Sequence, residues 1–119
     1  MLNCAIHGAE DLRLVEQAPE PLGPTQVRVG VKAVGICGSD LHYYRHGRVG
    51  DFVIREPLTP GHEASGQVLE IGSAVTAVKP GDRVALDPAR TCGVCRYCRQ
   101  GDSNHCEAVF FFGLSLIHI

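Results

Sequence analysis

"QVRVGVKAVG", residues 26–35, alternates apolar and polar positions. Val27, Val29, Val31 and Ala33 fall on one face, with Arg28 and Lys32 on the other, which is the pattern of a half-buried β-strand. Working outward, "GQVLEIG" (66–72) reads as a second strand between two glycines. "RVALDP" (83–88) reads as a third, entered through the Pro-Gly turn "KPGD" (79–82). "PEPLGPT" (19–25) is proline-rich and expected to be irregular. "SDLHYYRHG" (39–47) suggests a single helical turn with Ser39 as its N-cap. The 14 glycines and 7 prolines are spread along the chain, as short strands joined by turns require. The expected class is therefore mainly β, with long functional loops and no repeat, heptad or low-complexity tract.

The 119 residues suffice for one domain, and 45% apolar with 20% charged is ordinary for a globular chain. A formal charge of -2 and scattered basic residues give no phosphate track, so neither nucleic acid nor an anionic membrane is expected as a partner. "MLNCAIHGAEDLRLVEQ" (1–17) has no secretory pattern, and no run approaches the roughly 18 apolar residues of a membrane span. A cytoplasmic compartment with reduced thiols is the expectation. The final "FFFGLSLIHI" (110–119) is almost wholly apolar and is expected to be a truncated end, with residues 114–119 in doubt.

"TCGVCRYCRQGDSNHC" (91–106) holds Cys92, Cys95, Cys98 and Cys106 in the spacing C-x2-C-x2-C-x7-C. Four thiolates satisfy tetrahedral zinc, and a tight loop delivers them at small closure cost. Arg90, Arg96 and Arg99 flank the cluster and would offset its negative charge. An iron–sulfur cluster accepts the same ligands and stands as an alternative. Paired disulfides would need an oxidising compartment, and a thioredoxin-like role would need a βαβ setting. With all four positions filled by protein, zinc here would brace a lobe and leave no place for a substrate.

Chemistry must then lie elsewhere. "GICGSDLH" (35–42) and "PGHEASG" (60–66) offer Cys37, His62 and Glu63, a mixed donor set suited to zinc with a vacant position. Asp40 is placed to orient the His62 ring, and Ser39 and His42 to pass a proton. The H-E-x-x-H motif of metalloproteases is excluded, because Gly66 stands where its second histidine belongs.

These motifs, in this order, resemble the zinc-dependent medium-chain alcohol dehydrogenase family. "GHEASGQVLEIGSAV" (61–75) is similar to its zinc signature, with Gly61, His62, Glu63, Gly66 and Gly72 in register. "GICGSDLH" is similar to its first-ligand loop, "KPGDRV" to the following hairpin, and the four-cysteine stretch to its structural zinc loop. The likeness runs from about Val27 to Phe112. "CGSDLHYYRHGRVGDF" followed by "REPLTPGHEASG" resembles the polyol and sugar-acid branch. "PARTCGVCRYC" and "NHCE" point within it to the L-idonate 5-dehydrogenase type first, then to the sorbitol and xylitol dehydrogenase types.

The resemblance implies a GroES-like irregular β-barrel, the partial catalytic domain over residues 1–113, with a structural zinc lobe. It implies two zinc ions per complete subunit: one held by Cys92, Cys95, Cys98 and Cys106, the other by Cys37 and His62 with Glu63 at or just behind it. Ser39 would take the proton of a secondary hydroxyl and His42 would lead it towards solvent, while hydride passes to NAD or NADP. Tyr43 and Phe52 would line the substrate pocket, and Gly66 and Gly72 would be backbone necessities at bends. The substrate would be a polyol or sugar acid, and the complete enzyme a homodimer or homotetramer. No G-x-G-x-x-G occurs, so the Rossmann domain is expected to be absent, and the chain alone to bind one zinc tightly without turnover. The alternative from another class is a zinc-binding interaction module without catalysis; it leaves "GICGSDLH" and "GHEASG" without a purpose.

Overall fold

The computed structural model describes residues 1–112; residue 113 and the tail 114–119 that the reading above doubted lie outside the described residues. Strands β1 (Leu2–Gly8) and β2 (Asp11–Glu16) form an antiparallel hairpin in which Leu2 faces Glu16 and Ile6 faces Leu12. Simple alternation did not single this hairpin out, because its apolar positions are split. Ala5 and Ile6 are buried, whereas Leu12 and Leu14 are exposed.

The central sheet carries the site. Strand β3 (Val27–Gly35) enters helix α1 (Gly38–His46), which is followed by the short pair β4 (Arg48–Val49) and β5 (Phe52–Val53). Strand β6 (Glu63–Ile71) lies between β3 and β7 (Arg83–Ala85) in one antiparallel three-stranded sheet. The expected strand at 26–35 is present, but its valine face is not uniformly buried: Val27 is 36% exposed and Val31 51%. The β3–β6 pairing also shifts register twice, between Arg28 and Val29, where β6 carries the extra residue Leu69, and between Val31 and Ala33, where β3 carries Lys32.

Close packing of β3 on β6 demands glycine at one position. A Cβ on Gly66 would lie 2.5 Å from the Gly30 carbonyl oxygen and 2.7 Å from Val29 Cγ1. Gly66 is thus a close-approach glycine within a strand, not the bend residue expected of it.

Helix α1 is longer than the single turn read from the sequence, and its N-cap is Cys37 rather than Ser39. It stops at Gly47, which takes a left-handed conformation (φ 65°) and donates its N–H to the Tyr43 carbonyl. The helix is pinned by a small core in which Ile6, Tyr43 and Leu58 are buried, with Val49 and Ile54 packed against them. Burial of a side chain such as Ile6 or Leu58 contributes about 1.5–3 kcal/mol. Tyr43 is buried in this core, where its ring anchors α1. Phe52, expected with Tyr43 to line the substrate pocket, is 73% exposed on β5.

The remaining elements build the cysteine lobe. They are β8 (Ala89–Arg90), α2 (Arg96–Gln100), a 3-10 turn (Ser103–His105) and β9 (Phe110–Phe111).

Candidate metal centres

The lobe closes because β8 and β9 pair, with Ala89 opposite Phe111 and Arg90 opposite Phe110. This brings the two ends of the loop together and sets Cys92 beside Cys106. Cys95 caps α2, and Cys98 stands one turn further on the same helix. Gly101, left-handed at φ 89°, then turns the chain back towards Cys106.

All four thiols are free, and their sulfurs lie within 4.8 Å of one another. The Sγ atoms of Cys92 and Cys98 are 3.9 Å apart, and those of Cys95 and Cys98 are 3.5 Å apart. Zinc at about 2.3 Å from four thiolates sets neighbouring sulfurs about 3.8 Å apart, so the donors fit that ion. Disulfides are absent from the cluster.

Backbone N–H groups aim at the sulfurs. Cys92 Sγ accepts from Cys95 at 3.3 Å and from Val94 at 3.5 Å, and Cys106 Sγ accepts from Cys92 at 3.3 Å. The backbone N–H groups of Cys98 and then Glu107 lower the Cys95 thiol to about 6, and those of Val94 and Cys95 lower Cys92. Cys98 is pushed up to about 11, by desolvation first and then by its bond to Cys95. The cage thus favours some thiolates at the expense of a neighbour, a conflict that a divalent cation resolves. The flanking arginines are engaged otherwise than expected. Arg96 pairs with Glu107 at 3.3 Å and donates to the Tyr97 hydroxyl at 2.7 Å, while Arg90 lies over the Phe110 ring at 5.4 Å.

The second cluster follows from strand register. Gly35 faces Glu63 at the end of the β3–β6 pairing, so the chain running on from β3 must pass the chain running into β6. Cys37, His62 and Glu63 meet there, with ligand atoms within 4.8 Å of one another. Gly61 sets the approach at φ 101°, a conformation natural to glycine.

Asp40 ties the two segments together. It is only 8% exposed, and its Oδ2 accepts the Cys37 N–H at 2.9 Å while Oδ1 accepts the Gly61 N–H at 3.2 Å. The His62 Nδ1 is 3.9 Å from Oδ1, beyond hydrogen-bond reach. Asp40 thus orients the backbone that carries the ligands rather than the His62 ring itself. The ring is steadied by Phe111, edge-on at 5.7 Å between centroids. Sequence reasoning missed Phe111, because the "FFF" run carries no chemical signal of its own.

Two buried polar atoms here lack a hydrogen-bond partner among the described residues: His62 Nδ1 and the Ser39 hydroxyl. Unpaired buried groups are costly, by about 1–3 kcal/mol each, and such orphans mark places where a ligand completes the bonding. Thiolate, imidazole and carboxylate donors with room for a further ligand fit zinc. His42, three positions beyond Ser39 on α1, is exposed. The structure brings Cys37, His62 and Glu63 to one place with Asp40 bridging their segments, and it sets Cys92, Cys95, Cys98 and Cys106 together in another.

Comparison with known proteins agrees with this arrangement. Residues 23–116 match the alcohol dehydrogenase GroES-like domain. Sorbitol dehydrogenase of Gallus gallus is 48% identical over 111 residues, which is 92% of this chain and 31% of that protein. The crystal structure of L-idonate 5-dehydrogenase from Escherichia coli K-12 superposes with a TM-score of 0.87 at 34% identity, covering 98% of this chain and 33% of that one. An Escherichia coli CFT073 short chain alcohol dehydrogenase complexed with NADH superposes at 0.82 with 35% identity, covering 96% and 32%. The chain therefore spans about a third of the length of the relatives it matches. No helix among the described residues is long and apolar enough to cross a membrane. With its GroES-like strands, its four-thiol lobe and its separate Cys-His-Glu cluster, the chain belongs to the alcohol dehydrogenase family defined by the GroES-like domain.

Proposed function

We propose that this chain supplies the catalytic domain of an NAD(P)-dependent dehydrogenase that oxidises a secondary hydroxyl of a polyol or sugar acid. The observation that carries the reading is the meeting of Cys37, His62 and Glu63, apart from a closed four-cysteine cage, with the buried Ser39 hydroxyl two residues along the chain from Cys37. A closed cage alone would suit an interaction module; an open donor set with a buried hydroxyl close in the chain suits catalysis.

Cys37 and His62 would hold the catalytic zinc, with Glu63 at or just behind it. When bound, zinc supplies positive charge that lowers the pKa of a hydroxyl presented to the open side of this donor set. Ser39, two residues beyond Cys37, receives the proton; its hydroxyl is buried and has no competing partner among the described residues. His42 carries it onward, since positions three apart share a helix face and its ring reaches solvent. Asp40 keeps Cys37 and His62 in place through the two backbone N–H groups it accepts. Phe111 shields one side of the His62 ring from water. Cys92, Cys95, Cys98 and Cys106 hold the second, structural zinc. Gly72 serves the backbone and takes no part in chemistry.

The described residues contain no dinucleotide fingerprint, so NAD or NADP would be held by other parts of a complete enzyme. Val31, Val34, Ile36 and Leu69 are among the exposed apolar residues that such further chain would cover. The 48% identity to sorbitol dehydrogenase favours a neutral polyol. The likeness in fold to L-idonate 5-dehydrogenase supports a sugar acid as the second reading. A soluble cytoplasmic homodimer or homotetramer is the form we propose for the complete enzyme.

The test is polyol-dependent reduction of NAD or NADP by a complete enzyme carrying this domain, compared with its Cys37→Ser variant. Turnover abolished in a folded variant supports the reading. Undiminished turnover contradicts it.

A further inference from the structure

Helix α1 presents a feature that neither metal cluster uses. His42 and His46 are four positions apart, both exposed, and their rings approach to 5.6 Å between centroids at an interplanar angle of 40°. Residues at this spacing stand above one another on one helix face. We propose that His42 and His46 form a third, surface-exposed site for a late first-row divalent cation such as zinc or nickel.

The geometry suits chelation. A tetrahedral ion about 2.1 Å from two imidazole nitrogens places the ring centroids about 5.2 Å apart, close to the 5.6 Å between these two rings. The platform is rigid, because Tyr43, between the two histidines in sequence, is buried with Ile6 and Leu58. Gly47 further fixes the last turn by donating to the Tyr43 carbonyl. His46 ends the helix, where the partial negative charge of the macrodipole favours a cation. Imidazole pairs prefer zinc, nickel and copper to magnesium or calcium, and water would complete the coordination. Neither histidine belongs to the Cys37 or the Cys92 cluster, so the site does not depend on the dehydrogenase reading.

The experiment is calorimetric titration of the full chain with nickel chloride, after zinc has filled the cysteine clusters. One additional equivalent should bind, and His46→Gln should weaken its affinity at least about tenfold, because losing one arm of a chelate removes its effective-concentration advantage. His105→Gln, in the cysteine lobe, should leave the affinity unchanged. His46 is exposed, so the variant should fold, and its circular dichroism should match the parent. As a second readout, paramagnetic nickel should broaden the ring-proton resonances of His42 and His46 before those of His7 and His105. Equal affinity in parent and His46→Gln, or broadening that spares both rings, overturns the proposal.

Discussion

The carboxylate of Asp40 accepts the backbone N–H of Cys37 at 2.9 Å and reaches across to the N–H of Gly61, so one buried side chain joins the two segments that carry the open donor set. Replacing it by alanine leaves two buried donors without a partner, at about 1–3 kcal/mol each. Asp40→Ala should therefore lose about 2–5 kcal/mol in urea unfolding and bind zinc at the open cluster about 10- to 100-fold more weakly. Asp40→Asn, which keeps one acceptor oxygen, should fall between the two. An alanine variant with parental stability and zinc affinity would show that the bridge is incidental.

The contact between β3 and β6 leaves no room at Gly66. Gly66→Ala drives a Cβ against the Gly30 carbonyl, and overpacking against backbone should cost about 3 kcal/mol or more. Gly93→Ala is the control, since a Cβ there meets nothing within 4 Å and only its left-handed φ of 72° opposes the change. That cost should be near 1 kcal/mol. Chemical denaturation of both variants checks the ordering.

Much of this architecture was legible in the sequence, and the misses have physical causes. The cysteine spacing announced the cage because thiolate ligation tolerates few other arrangements. The 26–35, 66–72 and 83–88 strands were visible in alternation and turn residues, and β3, β6 and β7 stand over those segments. Alternation did not show how exposed Val27 and Val31 are, because burial depends on what covers that face of the sheet and not on the period alone. A tyrosine in a ligand loop carries no mark of its direction, so the packing of Tyr43 against Ile6 and Leu58 was not legible in the sequence. Asp40 was read as a support for the His62 ring, whereas the partners it has are backbone groups that no side-chain motif encodes.

Removal of metal should expose an ordered difference in thiol reactivity within the lobe. Thiolate is the nucleophile, and Cys95 is lowered to about 6 while Cys98 is raised to about 11. In chelator-treated protein near neutral pH, iodoacetamide should modify Cys95 before Cys98. Cys95 labelling should slow as pH falls through about 6, where its thiolate is protonated. Peptide mapping by mass spectrometry reads the order, and zinc-replete protein should resist labelling at both positions. Faster modification of Cys98 would overturn this picture of the cage.

The Ser39 hydroxyl is buried, two residues along the chain from Cys37, and is not among the donors of the open cluster. In a complete enzyme, Ser39→Ala should lower kcat by about 10²- to 10⁴-fold while leaving zinc content unchanged. Steady-state kinetics with elemental analysis separates this from loss of metal. A variant that keeps full kcat would remove Ser39 from the proton route.

The central claim is that one polypeptide holds two zinc ions in two different ways, enclosed by sulfur in the lobe and open to an alcohol beside Cys37. Elemental zinc analysis of a complete enzyme, after gel filtration, addresses it directly. We expect two equivalents per subunit, falling to one in either Cys37→Ser or Cys95→Ser, with turnover absent in the first. A parental value of one, or a Cys37→Ser protein that keeps both ions and its activity, would contradict the account.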